Sequence, residues 1–434
     1  MVGVASVSLD VPLFAELYGY GPFIGRRNWG VRDPIHCRVI SIKDQFHRNI
    51  IVITDICVMD DDAARSARVA LASELDTEPE GILISCTHTH SAPTLSPGTG
   101  WGERHEGFLQ VWHAAVLKAA RQAIESEEPC TALKGRAQVT TPLGVNRVVE
   151  GGPTDPDIRW ICFNRLDGSV KALLHHYGLH AVAFGRRMRQ VSADWIGEVN
   201  RRIQASRLAE FPIYLCAPAG DINPCTVAGG EAELERIATA YMADLERGLK
   251  AGGTTLRLTP IRAALQTFEL PTESLEAATM RRYADTMRTN PGNTFKREAE
   301  YMADRLMEMA ILAERGDSLR VHADLQVLRM GDWLLYAYPG EPFYETAQYV
   351  ITTAPAMFPM AVALANGDHS YFPTPEIYAR YPDSFLSAYA GYGYYEIFMN
   401  GDLKPPYKPD IANLLAVLFG GLARSVTTPA GHTA

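Results

Sequence analysis

The chain has 434 residues, 47% hydrophobic and 21% charged, an ordinary globular composition that excludes disorder and fibrous repeats. Its 41 basic and 50 acidic side chains leave a net charge of −9, which excludes the concentrated positive field that nucleic-acid binding needs. Seven scattered cysteines without a Cys-x-x-Cys argue against a disulfide framework or thiolate metal site and for a reducing compartment. No apolar stretch approaches the ~20 residues of a membrane span. The opening MVGVASVSLDVPLF lacks the basic-then-apolar pattern of a secretory signal. A soluble, cytoplasmic protein is expected.

In chain order, Ala5–Val11, Ile35–Ile42 and Asn49–Thr54 read as strands from alternation or β-branched content. Asp60–Glu74 reads as a helix with an acidic first turn, and Gly81–Cys86 as a buried strand running into THTHSAP. Trp112–Ser126 is helical. Ile158–Phe163 and Val170–His176 flank a turn at Asp167 and Gly168. A helix at Glu198–Ser206, a strand at Ile213–Cys216 and a helix at Glu231–Leu249 follow, then extended chain over Thr254–Phe268. Ser274–Gly316 is charged and helical, broken at Asn290–Asn293, and is expected to form a helical hairpin serving as a lid or outer flank. Leu319–Leu335 returns to strand pattern, and Ile411–Ala423 is an amphipathic helix. No repeat or linker divides the chain. One α/β domain over 1–434 is expected, a mixed β-sheet core flanked by helices with the 274–316 hairpin inserted.

Four strand ends carry chemistry. His88 and His90 follow Gly81–Cys86, and alternate residues of extended chain share a face, so two imidazoles stand side by side. They suit two metal ligands, or one ligand and one acid/base group. In HHYGLHAVAFG, His175 and His176 lie within the strand as core or surface residues, whereas His180 follows Gly178 into the loop. Glu341 sits in a stiff turn between Gly340 and Pro342, and Asp221 and Asn223 lie in the loop after Ile213–Cys216. Active sites of α/β proteins lie at the C-terminal ends of their strands. Two histidines and a carboxylate are a common ligand set of catalytic zinc.

These motifs occur in an order that resembles the catalytic domain of the neutral, non-lysosomal ceramidases and their bacterial relatives. They are RDPIHCRVISI, IVITDICV, ISCTHTHSAP, GVNR, HYGLHAVAFG with VSADWIG, APAGDINP, YPGEPF and NGDHSYFPTPEIY. The resemblance spans the whole chain. It implies one zinc ion held by His88, His180, Glu341 and Tyr371, although such ligands also accept manganese or iron. It implies that His90 faces the substrate and that Arg147 contacts the substrate's polar group. A tyrosine beyond the ligand tyrosine also lines the site; Tyr395 is the choice, with Tyr381, Tyr392 and Tyr394 as competitors.

Two departures bear on the substrate. Gly220–Asp221–Ile222–Asn223–Pro224 has asparagine where ceramide-cleaving members carry an active-site serine. The chain also stops after the catalytic domain, without their immunoglobulin-like C-terminal domain. The expectation is therefore a zinc hydrolase using metal-activated water on an amide, ester or lactone of a small soluble acyl compound. His90 handles the proton, Arg147 balances negative charge, and the Asn223 amide donates to the oxyanion. Asp194 and Asp221 are read as loop-fixing residues. The alternatives are a lactonase or esterase without amidase activity, and a metal-stabilised binding protein without catalysis. The oligomeric state stays open, a homo-oligomer included.

Overall fold

The computed structural model describes residues 1–21, 23–96, 100–290, 296–317, 320–354, 358–380 and 405–428. Three sheets build the core. The first is ordered Val2–Ser8, His36–Lys43, Arg48–Thr54, Ile82–Cys86. The second runs Phe211–Cys216, Val170–Tyr177, Asp157–Arg165, Cys130–Gln138, Thr254–Thr255. The third runs Ile261–Leu270, Val321–Met330, Trp333–Ala337, Phe358–Val362. Most neighbours are antiparallel, but each sheet contains one parallel pair: Arg48–Thr54 with Ile82–Cys86, Val170–Tyr177 with Phe211–Cys216, and Trp333–Ala337 with Phe358–Val362.

Alternation along the strands explains the layering, because successive side chains leave opposite faces. Ile51 and Ile53, Ile161 and Leu174, and Leu335 and Val362, two from each sheet, enter one shared cluster. The opposite faces meet helices: Ile50 and Val52 pack with Trp112 and Ala119, and Trp160 and Leu173 with Val199 and Tyr241. Tyr336 and Ala361 pack with Leu415 and Phe419 of the C-terminal helix Ile411–Thr427. Strands buried on both faces read as the continuous apolar runs NIIVIT and GILISC. Each such aliphatic side chain contributes about 1.5–3 kcal/mol by burial.

The mixed sheet flanked by helices agrees with the sequence expectation, and boundaries differ locally. Asp60 caps the helix Asp61–Leu75, its carboxylate accepting from the Ala63 amide. The helix expected at Glu198 begins at Asp194, and the one expected at Trp112 begins at Glu106. Thr254–Phe268 is two elements, Thr254–Thr255 and Ile261–Leu270. Elements not expected from the sequence include the strands Cys130–Gln138 and Phe358–Val362 and the helix Tyr344–Ile351. The first is half exposed and lacks an apolar run, and the second holds Pro359 in an edge strand, where a missing donor is tolerated. Within 274–316, Ala277–Thr289 and Lys296–Glu314 run antiparallel, joined by Arg281 to Glu314 and Arg288 to Asp304.

Candidate metal centre

The parallel strand pairs end at one place. Cys86 donates its amide to the Leu364 carbonyl, Ala363 to Cys216, and Ala217 to Tyr177, so the C-terminal ends of the three sheets are stitched together. The chain leaves these ends through His88, His180 and Glu341. Their ligating atoms lie within 4.8 Å of one another, and all three side chains are buried.

Two backbone carbonyls orient the imidazoles. His88 directs Nδ1 to the Cys57 carbonyl at 3.0 Å, and His180 directs Nδ1 to the Ile222 carbonyl at 3.0 Å. A carbonyl only accepts, so each Nδ1 carries the proton and each Nε2 presents its lone pair inward. His88 is held at φ 67, its amide bonded to the Ile56 carbonyl, an uncommon conformation for a residue with a Cβ. Glu341 completes the triangle: its Oε2 is 3.3 Å from His88 Nε2 and 3.2 Å from His180 Nε2. Ligand atoms on a tetrahedral ion with bonds of about 2.0–2.1 Å stand roughly 3.3–3.4 Å apart. The donor set therefore fits a divalent cation.

The electrostatics agree. Burial alone would raise the Glu341 carboxyl, but His88 and His180 outweigh it and hold the group well below its usual range. Burial opposes charge on His88, yet Cys57 and Glu341 lift it well above the ordinary value. A positive charge is favoured at the centre of this triangle. Cys57, His88 and His90 form a second group with metal-ligand atoms close together. Cys57 Sγ approaches His88 at Nδ1, 3.5 Å away, whereas His90 meets it at Nε2, so this group straddles the ring and converges less well.

No protein-family model matches this chain, and no curated protein matches it in sequence. Solved structures do. The neutral ceramidase from Pseudomonas aeruginosa aligns over 97% of this chain and 73% of its own, with a TM-score of 0.74 and 14% identity. A ceramidase complexed with C2 aligns over 97% of this chain and 74% of its own, with the same score and identity.

The fold is that of a neutral ceramidase.

Within this ceramidase-like fold, His90 points Nε2 to His88 Nε2 at 3.2 Å. Burial, followed by His88 and His180, pushes its pKa well below the ordinary value. Tyr371 pairs with Glu341 in a short parallel ladder, and the Arg147 guanidinium lies 5.3 Å from its ring centroid. Arg147 donates from Nε and Nη2 to the Gly220 carbonyl at 3.1 and 2.9 Å. Gly220 has to be small: a Cβ there would stand 2.7 Å from the Glu341 carbonyl oxygen and 3.0 Å from the Tyr371 ring. Asn223 sits opposite Val145 in a second short ladder, next to the Ile222 carbonyl that holds His180.

His175 and His176 stand apart from the centre, in the core. His175 bonds Tyr241 and Asn200, both at 2.9 Å, and His176 donates to the Ala361 carbonyl at 2.7 Å. Asp221 accepts from Asn146 and from the Tyr344 amide, both at 2.8 Å. Tyr381, Tyr392, Tyr394 and Tyr395 lie outside the described residues.

The wall behind His90 is not apparent from the sequence. Gly19, at φ 91, packs so closely that a Cβ would lie 2.2 Å from His90 Nδ1. Tyr20 stands edge-on to His90 and donates to the Phe184 carbonyl. Buried Arg26 donates to the carbonyls of Tyr18 and His90. The only signal in the sequence is the run of glycines around Tyr18–Tyr20, which looks like any loop.

Asp194 accepts from the amides of Ala183, Phe184 and Trp195 and so ties down the loop after His180. Burial pushes its pKa up from 3.8 to about 6. The folded state therefore binds the extra proton at a higher pH than the unfolded chain. This contribution to stability is complete below about pH 4 and is lost as pH rises through about 6, a term of about 3 kcal/mol. Asp194→Asn removes it. Urea unfolding at pH 4 and pH 7 is expected to show the change from the lower to the higher pH about 3 kcal/mol less favourable to folding in the parent protein than in the variant.

Proposed function

We propose that this protein is a divalent-metal-dependent hydrolase that cleaves an amide bond of an acyl substrate. His88, His180 and Glu341 hold the ion and Tyr371 supplies a fourth donor. The reading is carried by one observation: at the ends of the three core sheets, the Nε2 atoms of His88 and His180 lie 3.3 and 3.2 Å from one and the same Glu341 oxygen. Zinc suits a set of two nitrogens and an oxygen. When bound, the ion supplies Lewis acidity and a water whose pKa falls from ~15.7 to about 7.

The chain's own residues do the rest. His90 takes the proton of the attacking water and returns it to the leaving amine, a task suited to a neutral imidazole. The Asn223 amide donates to the developing oxyanion. Arg147, anchored on Gly220 and stacked near Tyr371, balances negative charge on the acyl side. Tyr395 is assigned to the substrate wall from the family resemblance. Residues 1–434 act as one catalytic unit, since the proposed ligands follow the ends of strands from all three core sheets. The 274–316 hairpin borders the mouth: Tyr301 packs edge-on against Phe23, a few residues after Gly19 and Tyr20. Among the described residues no helix is long and apolar enough to cross a membrane. Seven free cysteines support a reducing, cytoplasmic setting.

Elemental analysis of the purified protein, with matched N-acyl amides, esters and lactones, tests this reading. One equivalent of metal and amide turnover that stops on chelation are expected. Metal-free protein, or turnover indifferent to chelators, overturns it, and cleavage of lactones alone replaces the amidase assignment. Asn223→Ser exchanges the amide donor for the hydroxyl that ceramide-cleaving members carry at this position, and is expected to change amide turnover measurably. Unchanged turnover removes this position from the chemistry.

A further inference from the structure

The segment that walls His90 has a second face. Its base grips the histidine strand end: Tyr18 donates its amide to the Ala92 carbonyl, and Arg26 donates to His90. Its outer part folds back on itself, with Phe14 donating to the Asn28 carbonyl and Asn28 to Ala15. This tip turns large apolar side chains into water. Leu13 is 61% exposed, Phe14 64% and Trp29 69%.

The exposure is built in. Phe14 is held at φ 64, a conformation a bulky residue avoids unless its surroundings impose it. Here the imposing contacts are its own amide on Asn28 and Arg27 Nη1 on the Phe14 carbonyl at 3.2 Å. The other five tryptophans of the chain are buried, so the exposed indole departs from this protein's own pattern.

A basic turn, Arg186–Arg189, flanks the aromatic tip. Trp29 donates its amide to the Arg189 carbonyl, and the chain continues as a parallel ladder of Gly30–Val31 with Gln190–Val191. Arg187 is exposed and has no carboxylate partner among the described residues. Arg189 donates to the carbonyls of Arg186 and Met188, contacts that leave its charge uncompensated. Arg27, by contrast, is more than balanced by Glu16 and Glu103, which together leave one negative charge on that side of the tip. Aromatic residues beside arginines match the interface of an anionic bilayer, where rings enter the headgroup boundary and guanidinium groups meet phosphates. A second copy of the chain is a poor occupant, because pairing the same patch brings the two arginine turns together.

We propose that the tip formed by Leu13, Phe14 and Trp29, with Arg187 and Arg189, docks the protein on an anionic lipid surface beside the metal centre. Resting on the hydrolase reading, such docking sets the proposed metal centre close to the lipid surface.

Co-sedimentation tests it, with phosphatidylserine–phosphatidylcholine vesicles against pure phosphatidylcholine. The protein is expected to sediment with the anionic vesicles, more weakly in high salt, with its tryptophan emission shifting to the blue. Phe14→Ser and Trp29→Ser should each weaken binding about tenfold, Trp29→Phe should restore it, and Arg187→Glu with Arg189→Glu should lose at least tenfold. No sedimentation, binding indifferent to these substitutions, or a patch variant that instead dissolves a dimer overturns the proposal. A short water-soluble N-acyl amide separates the two readings. If the parent protein binds vesicles but leaves this amide and its lipid counterpart intact, docking stands and the hydrolase assignment fails.

Discussion

His180→Ala is expected to abolish stoichiometric metal binding and to cut turnover by at least a thousandfold, and Glu341→Ala to do the same. The expectation follows from how the site is held. Ile222 and Cys57 carbonyls orient the two imidazoles, and Glu341 comes from a strand end in a different sheet. Outer contacts of this kind already change metal affinity by about 10–100-fold when removed, so the loss of a direct donor should cost more. Elemental analysis and turnover, read on the same samples, check it. Removing Glu341 also leaves two buried imidazoles facing each other without the negative charge that balances an ion. Full metal content in either variant would dissolve the proposed centre. Cys57→Ala should keep the metal, because the thiol lies on the outer side of His88.

The second large effect concerns His90. His90→Ala is expected to retain the metal and lose about 10²–10⁴ in turnover, the range of a positioned acid/base group. His90 Nε2 lies as close to His88 Nε2 as Glu341 does, so distance alone does not separate a ligand from a proton carrier. Convergence does: His88 and His180 both reach the same Glu341 oxygen, and the close nitrogen contact of His90 is with His88. Metal content decides between the roles. A variant that loses its ion would exchange the assignments of His90 and His88.

Much of this arrangement is legible in the amino-acid sequence. The apolar runs NIIVIT and GILISC announce strands buried on both faces, and such strands end in loops that must carry polar chemistry. The two His-bearing ends and the Gly–Glu–Pro turn therefore stand out as candidates. His175 and His176 are separable from His180 by their place inside a strand, and both bond core groups. Less visible are elements whose stability comes from neighbours. Cys130–Gln138 has little apolar patterning and exists because it pairs with Asp157–Arg165.

Burial periodicity and turn chemistry are local properties. For that reason the α/β class, the strand-end positions of His88, His180 and Glu341, and the resemblance on which Tyr371 and Arg147 rest can all be read along the chain. Folding in three dimensions settles what remains. It makes three sheets share an inner face and so brings those strand ends within bonding distance. It also sets Gly19, Tyr20 and Arg26 as a wall around His90 while Phe14 and Trp29 face water. Those outcomes depend on contacts between residues far apart in the chain, which no local pattern encodes.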